Sequence, residues 1–302
     1  MEYNYNYLNK YLINKFGERT LKICIDGNFT CPNRDGTCGV GGCIFCSERG
    51  SGERLDNNKT ISAQVIDTLK YKEKRANKFI AYFQNYTNTY DSIENLKKKY
   101  DAALIDNKIV ALAIATRPDC INKEVIELLK TYTNNYYVWV ELGLQTANDD
   151  TAKIINRGYE RKKYIEAVEL LKEYGIDVVT HIMVGLPGEV FEDIKETINF
   201  INCYNYQGIK IHSTYIVKNT ELEKMFKEGK YKPLEYEEYM DILIYIITHI
   251  PKDKIIHRFS GDSPKDLLVA PEWTLHKKKV MNELNNRMKR ENLYQGMYYK
   301  EK

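Results

Sequence analysis

Three cysteines within one glycine-rich stretch are the residues of this chain best suited to chemistry. Cys31, Cys43 and Cys46 lie in the segment CPNRDGTCGVGGCIFC. Iron–sulfur clusters are normally held by four cysteine thiolates, so three clustered thiolates predict a cluster with one iron left open. The glycines supply the backbone freedom that three sulfurs need in order to surround one small cube. We therefore expect an iron–sulfur site whose coordination is completed by something other than a fourth cysteine.

The remaining cysteines leave an alternative open. Zinc sites are usually closed by four Cys or His ligands, and Cys38 would supply the fourth ligand here; otherwise it is a spare thiol. Cys24 lies in an apolar alternation typical of a buried strand, and Cys120 and Cys203 are interpreted as packing residues. With 7 cysteines in 302 residues and no secretory signal, a disulfide framework is not expected.

The composition fits one soluble body of enzyme size. The chain has 302 residues, 43% hydrophobic and 29% charged, which is enough to bury a sizeable core. No apolar run approaches the roughly 18 residues of a membrane span, and the N-terminal MEYNYNYLNK lacks the apolar core of a signal peptide. We therefore expect a cytoplasmic protein without a membrane partner. The net charge of +3 neither demands nor excludes an anionic partner.

Short apolar strands alternate with segments of helical period along most of the chain. The pattern predicts strands over 79–83, 109–115, 137–142, 177–183 and 209–216. It predicts helices over 5–16, 61–75, 92–100, 122–132, 149–156, 161–174 and 190–203. Continuous apolar strands joined by helices are typical of a parallel sheet with helices outside it.

Five or six such units are too few for a closed eight-unit barrel. We therefore predict an α/β fold, a partial (β/α)6-type open barrel with a mainly helical C-terminal extension. The extension contains a strand-like stretch over 255–259 and a final helix over 273–290. No linker rich in Pro, Gly or Ser divides the chain, so residues 1–220 are expected to form the core. Residues 221–302 are expected to pack on that core and not to form an independent domain.

Polar side chains gather where the first four predicted strands end, which is the edge where parallel α/β sheets place their function. Turn chemistry and helix capping explain any one of these ends, but four of them beside a cysteine loop favour a site. The candidate residues, in chain order, are Gln84, Asn85, Tyr86, Thr87, Arg117, Glu141, Gln145, His181 and Gly185.

The cysteine loop resembles that of the radical S-adenosylmethionine superfamily. Eleven residues separate Cys31 from Cys43, a wide spacing that is similar to a subgroup related to the Elongator catalytic subunit. The segment FTCPNRDGT…GGCIFC is similar to the same subgroup. The similarity continues through the segments YFQNYTNTY, ATRPDC, ELGLQT, NRGY, HIMVGLPGE and HRFSGD. The resemblance thus covers nearly the whole chain, and it is to small bacterial enzymes of the YhcC/YtqA kind.

The resemblance implies a [4Fe–4S] cluster held by Cys31, Cys43 and Cys46. The open iron would bind S-adenosylmethionine, and reduction would release a 5′-deoxyadenosyl radical. An electron donor such as flavodoxin or ferredoxin is then expected. The oligomeric state stays open.

The resemblance also implies contacts to S-adenosylmethionine. Gln145 and Arg157 match the ribose and carboxylate contacts of the oxygen-independent coproporphyrinogen oxidase branch, and His181 stands where that branch has an acidic ribose ligand. Residues 84–87 align with the family's amino-group segment but lack its glycines. Gly185 begins a segment that resembles the one against the adenine, and Arg117 could pair with a carboxylate.

The substrate expectation rests on the same resemblance, because relatives in the Elongator branch act on the wobble uridine of tRNA. An open barrel admits a large substrate, and basic stretches over 70–75 and 277–290 can follow phosphates; a solvated helix face is the plainer interpretation of both. Segments 257–262 and 271–273 would form part of the substrate wall, or simply pack in the core. Alternatives are a radical enzyme for a small molecule or peptide and a non-catalytic iron–sulfur redox protein.

Overall fold

Seven parallel strands form one curved sheet in the computed structural model, which describes residues 4–50 and 52–301. The sheet order is β1, β2, β3, β4, β5, β6 and β8, and β7 pairs with β9 in a separate antiparallel ribbon. The strand bounds are β1 Thr20–Ile25, β2 Lys78–Phe83, β3 Ile109–Thr116, β4 Tyr137–Gln145, β5 Asp177–Val184, β6 Gly208–Ser213, β7 Ile216–Val217, β8 Ile255–Arg258 and β9 Leu268–Ala270. The predicted α/β partial barrel is confirmed.

The strand count exceeds the five or six predicted units. The extra strand is β1, which lies before the cysteine loop and pairs in parallel with β2. The prediction recognised strand character around Cys24 but did not count it, because the long loop and a helix separate β1 from β2 in the chain. The predicted strand over 209–216 is divided between β6 and β7, since the chain leaves the sheet at Thr214.

Helices pack around the sheet, most of them on its outer face. They are α1 Leu8–Phe16, α2 Ile61–Lys72, α3 Ile93–Ala103, α4 Lys123–Tyr132, α5 Asp149–Ile154, α6 Arg161–Glu173, α7 Phe191–Ile201, α8 Glu221–Lys227, α9 Tyr236–His249 and α10 Lys277–Arg290. Several begin at a Ser, Thr or Asn whose side chain accepts a hydrogen bond from a backbone N–H of the first turn, as at Ser92 and Asn122. None of the helices that the structure describes is long and apolar enough to cross a membrane.

Helix α1 differs from the others because it packs against the inner face of the barrel. Its Leu12 is buried with Ile80, Ala111 and Trp139, which come from β2, β3 and β4. This apolar plug closes the barrel at the edge where the strands begin. The inward side chains of β3 are the alanines 111, 113 and 115, whose small size leaves room inside. The open space therefore lies at the carboxyl edge of the strands.

Candidate active site at the carboxyl edge of the barrel

One cavity of about 280 Å³ opens at the carboxyl edge of the barrel. Cys31, Cys43 and Cys46 line it together with side chains from all four of the strand ends that the sequence singled out. The structure thus brings the predicted cysteine site and the predicted polar strand ends into one place.

Short hydrogen bonds fold the cysteine loop over this cavity. The Gly42 N–H donates to the Asn33 carbonyl at 2.8 Å, and the Cys46 N–H donates to the Cys43 carbonyl at 2.9 Å. The buried Asn33 amide donates to the Asn156 carbonyl at 2.6 Å and lies 3.8 Å from the Cys43 sulfur. The loop is therefore fastened to the segment that follows α5.

Cations surround the three thiols. The Arg34 guanidinium donates to the carbonyl of Cys46 at 2.9 Å, and Arg117 lies close enough to lower the pKa of Cys43, against a larger rise caused by burial and by the neighbouring Cys46. A thiol that binds a metal is deprotonated outright, so nearby positive charge suits a set of thiolates. The donor set and its surroundings fit an iron–sulfur cluster.

Cys38 does not join the other three cysteines. Its side chain is exposed and lines a different cavity, together with Cys120. Within residues 4–50 and 52–301, no three His, Cys, Asp or Glu side chains converge on a single-ion site. A mononuclear zinc site holds its sulfurs about 2.3 Å from one ion, whereas a cube offers each thiolate its own iron. The position of Cys38 thus disfavours the zinc alternative.

The ten residues proposed for cofactor contacts divide into two groups. Eight line the cavity: Gln84, Tyr86, Thr87, Arg117, Glu141, Gln145, Arg157 and His181. Asn85 and Gly185 lie outside its lining. Gly185 has φ +82°, its carbonyl accepts a 2.6 Å hydrogen bond from the Tyr231 hydroxyl, and Leu234 lies where a side chain would project. Glycine is therefore required there by the turn and by packing.

Two of the eight, both arginines, are held largely by the protein itself. Arg157 is fully buried and donates to the carbonyls of Leu144, Thr146 and Tyr159 and to the Asp149 carboxylate, at 2.6–3.0 Å. Arg117 forms two hydrogen bonds to Asp119, at 2.9 and 2.6 Å. These contacts leave few N–H groups free to bind a cofactor carboxylate. Arg157 therefore has a structural role, and its expected role as a cofactor ligand stays a prediction.

Sequence reasoning missed Tyr159, which organises this side of the cavity. Its ring lies between the guanidiniums of Arg117 and Arg157, with 4.8 and 4.6 Å from their central carbons to the ring centroid. Its hydroxyl lies 3.1 Å from the Gln145 side-chain amide. Gln145 itself has φ +61°, a strained value for a residue with a side chain. Tyr159 thereby helps to fix where Gln145 points.

A single carboxylate, Glu141, lies at the floor of the cavity and is fully buried. Side chains from five strands converge on it, and we call this group the Glu141 hub. Glu141 accepts hydrogen bonds from Lys22 (3.0 Å), Trp139 (3.2 Å), Tyr82 (2.7 Å), Lys210 (2.8 Å) and His181 (2.9 Å). Such a buried charge is tolerated only when it is paired and hydrogen-bonded.

The hub sets the charge of its members. Burial alone raises the pKa of Glu141, but the positive charges of Lys210 and Lys22 and the hydrogen bond from His181 hold that pKa well below its usual range. Burial lowers the pKa of Lys210 to about 7, with the attraction of Glu141 opposing. Burial and then Lys210 lower the pKa of His181 to about 4. At neutral pH, His181 is therefore uncharged and donates through Nε2, which leaves Nδ1 as an acceptor.

Several of these residues carry a signal that the sequence analysis did not use. Lys22, Tyr82, Lys210 and His212 alternate with apolar residues in TLKICI, KFIAYF and GIKIHS. Strands of a parallel sheet covered on both faces read as continuous apolar runs. Polar residues that share one face of such strands therefore indicate a face that lines a polar interior.

Comparisons with known proteins agree with this geometry. The family model described as the radical SAM superfamily matches residues 34–201, and the radical SAM C-terminal domain matches residues 206–290. The uncharacterised protein YtqA of Bacillus subtilis is 37% identical over 301 residues, which cover 99% of this chain and 94% of that protein. The chain belongs to the radical S-adenosylmethionine superfamily.

Two further similarities are to proteins of the genus Methanocaldococcus. A tRNA uridine(34) acetyltransferase of Methanocaldococcus jannaschii is 33% identical over 186 residues, covering 59% of this chain and 32% of that protein. The solved structure of Methanocaldococcus infernus Elp3 superposes with a TM-score of 0.71 at 23% identity, covering 91% of this chain and 64% of that one. The second similarity concerns the fold.

The cofactors of this superfamily are a [4Fe–4S] cluster and S-adenosylmethionine. Cys31, Cys43 and Cys46 would hold the cluster, since they share the cavity with the polar strand ends. The polar floor and the buried loop contacts would hold the organic cofactor in place and keep water away from it.

The three cysteines give the first test. Changing Cys31, Cys43 or Cys46 to Ala should abolish the about four irons and four sulfides per chain expected after anaerobic reconstitution. Cys38→Ala and Cys120→Ala are matched controls and should keep the full iron content and the broad visible absorbance. Loss of iron in Cys38→Ala with retention in Cys31→Ala would contradict the assignment.

The Glu141 hub gives the second test. Glu141→Gln leaves Lys22 and Lys210 without their counter-charge, so the free energy of unfolding at pH 7 should fall by about 3 kcal/mol. Because the pKa of Glu141 is lowered in the folded state, its contribution is complete above the pKa of the unfolded chain. This contribution to the free energy of unfolding is lost as the pH falls through the pKa that Glu141 has in the folded protein.

Urea unfolding of the reconstituted protein measures this loss. Glu196→Gln is the control, because Glu196 is half-exposed and pairs only at the surface with Arg161. It should change the free energy of unfolding by less than about 1 kcal/mol. A Glu141→Gln protein as stable as the wild type would refute the role given to the hub.

Proposed function

We propose that this radical SAM enzyme modifies tRNA and that its target is the side chain of the wobble uridine. The observation that carries the proposal is the similarity, at 33% identity over 186 residues, to a protein named tRNA uridine(34) acetyltransferase. The match covers 59% of this chain and 32% of that protein. The substrate class is thus taken from a relative, and the site must be consistent with it.

The rim of the cavity supports a polyanionic substrate on one side. Asp262 lines the cavity and pairs with Lys277 at the start of α10, while Arg54 on the same rim lies 3.8 Å from Asp262. Lys278 and Lys279 follow and are exposed. The start of this basic stretch is therefore tied to the cavity rim through Asp262, and a nucleic acid backbone that passed the mouth would meet it there.

The other basic stretch does not support RNA binding at this site. Residues 70–75 lie at the end of α2, which leads into the start of β2. The start of a strand is the edge opposite the cavity mouth. Lys72 also donates to the Lys22 carbonyl at 2.7 Å, a contact within the fold. We therefore assign this stretch to the solvated surface.

In the proposed reaction, the cofactors supply a carbon radical that removes a hydrogen atom from the substrate. The protein must hold the cofactor and the substrate in contact and keep water out. Gln145 and His181 present side chains suited to ribose hydroxyls, and Thr87 presents a buried hydroxyl for which the described residues provide no hydrogen-bond partner. The hydrogen bond to Glu141 holds His181 in one orientation on the cavity lining, where its ring would face a bound cofactor.

The organisation proposed for the chain is a core over 1–220 and an extension over 221–302 that is not independent. Strand β8 of the extension pairs with β6 of the core, and the Leu222 N–H donates to the carbonyl of Ile44, between two of the cysteines, at 2.9 Å. Radical SAM enzymes need a reductant, and we propose a flavodoxin or ferredoxin in the cytoplasm for this role.

The salt dependence of tRNA binding tests the substrate class. Reversing the charge of Lys277, Lys278 and Lys279 to Glu should weaken binding at 50 mM salt and flatten the slope of log affinity against log salt. The expected change is up to about one unit of slope for each lost phosphate contact. The matched control reverses Lys70, Lys74 and Arg75, which are equally exposed at the other end, and should keep the wild-type slope.

Mass spectrometry of tRNA nucleosides, from cells with and without this gene, tests the reaction itself. We expect cells without the gene to carry a wobble-uridine nucleoside of different mass. The wild-type gene should restore the original nucleoside, and a gene that encodes Cys43→Ala should not. An unchanged nucleoside profile would transfer the proposal to a small-molecule or peptide substrate.

A further inference from the structure

Two cations stand side by side on one wall of the cavity. Lys210 on β6 and Arg258 on β8 are register partners in adjacent parallel strands, and both line the cavity. His212 lies two residues beyond Lys210 and therefore on the same face of β6. We call Lys210, His212 and Arg258 the β6–β8 wall.

The wall carries positive charge that the protein does not balance. Like charges on directly neighbouring strands repel each other, and Arg258 contributes to the lowered pKa of Lys210. Among the residues described, the guanidinium of Arg258 forms neither a hydrogen bond nor a salt bridge. The Nε2 atom of His212 is buried, and it too has no hydrogen-bond partner in the described part of the chain.

The nearby carboxylates are already engaged elsewhere. Glu141 accepts five hydrogen bonds and is shared between Lys22 and Lys210. Asp262 attracts Arg258 at longer range, but its ion pairs are with Lys277 and Arg54. The Glu53 carboxylate on the same lining is hydrogen-bonded to Ser47. Glu141 therefore balances Lys210 only in part. Among the described residues, the Arg258 guanidinium is left without an ion pair beside a buried imidazole, and it faces the open space.

We propose that the β6–β8 wall binds an oxyanionic group of the substrate, a carboxylate or a phosphate. A planar guanidinium and an ammonium offer the hydrogen-bond donors that such groups prefer. The inference deepens the proposed function, because it rests on this cavity being the place where the substrate reacts. It does not depend on the substrate being RNA.

The position of the wall favours the substrate over the cofactor as the source of the anion. The residues expected to contact S-adenosylmethionine lie at the ends of β2 to β5, and the wall occupies the remaining side of the same cavity, on β6 and β8. An anion held there would anchor the substrate and turn its neighbouring carbon atoms toward the cofactor. Anchoring of this kind is how a radical enzyme selects one C–H bond.

Thermal unfolding of the anaerobically reconstituted protein tests the proposal with simple anions. Inorganic phosphate and acetate are titrated separately against chloride at constant ionic strength. A ligand that binds only the folded protein raises the unfolding midpoint, so at least one anion should raise it by at least about 2 °C. A larger response to phosphate assigns a phosphate group, and a larger response to acetate assigns a carboxylate.

Variants of Arg258 locate the effect. Arg258→Gln should lose the anion response, and it should unfold at or above the wild-type midpoint in chloride because the repulsion with Lys210 is gone. Arg258→Lys keeps the charge and should retain part of the response. Arg75→Gln, an exposed arginine beyond α2, should respond as the wild type does.

Three results would overturn the proposal: no rise of the midpoint for the wild type, an equal rise for Arg258→Gln, or a loss of S-adenosylmethionine affinity in Arg258→Gln. The last result would assign the guanidinium to the cofactor. Failure of the tRNA proposal looks different, because it appears as an unchanged nucleoside profile while the anion response persists.

Discussion

The buried carboxylate of Glu141 is the interaction on which the arrangement of the barrel depends. Its two oxygens accept hydrogen bonds from side chains on β1, β2, β4, β5 and β6. These strands are distant in sequence, so one ionised group fixes their inward faces relative to one another. The cost of burying that charge is offset only while all of its partners stay in place. A polar interior of this kind specifies one packing more strictly than an apolar one would.

The hub also divides the interior into two parts. Toward the strand starts, α1 fills the barrel with apolar side chains around Leu12. Toward the strand ends, the cysteine loop covers a polar cavity. The loop is itself fastened at both sides, since the N–H of Ile44 donates to Ile155 and the carbonyl of Ile44 accepts from Leu222. The C-terminal extension thus helps to place the cysteines, although it contributes none of them.

Much of the fold and of the site could be predicted from the sequence. Cysteine spacing is a local property, and the place of polar residues at strand ends follows from the topology of parallel sheets. Both could therefore be predicted, and the structure brings them to the lining of one cavity. The long-range consequences could not be read in this way. The cofactor contact expected of Gly185 stays a prediction, and its contacts with Tyr231 and Leu234 are known only from the folded chain. The partners of Arg157 and the place of Tyr159 depend on side-chain contacts that only the folded chain defines.

Polar residues inside strands were the signal that local reasoning left unused. Lys210 and Arg258 become a site only because β6 and β8 are neighbours, although 47 residues lie between these two positions. A sheet register therefore has to be known before such a pair can be recognised. The same holds for Lys22 and Glu141, whose strands are separated by β2 and β3 in the sheet.

We infer that the cysteine loop and the polar cavity together form a working radical S-adenosylmethionine site. The most direct measurement is the release of 5′-deoxyadenosine by the reconstituted protein after reduction with dithionite in the presence of S-adenosylmethionine. We predict release that requires Cys43 and persists in Cys38→Ala. A protein with its full iron content that releases no 5′-deoxyadenosine with any of several reductants would contradict the claim, and would favour an iron–sulfur electron carrier.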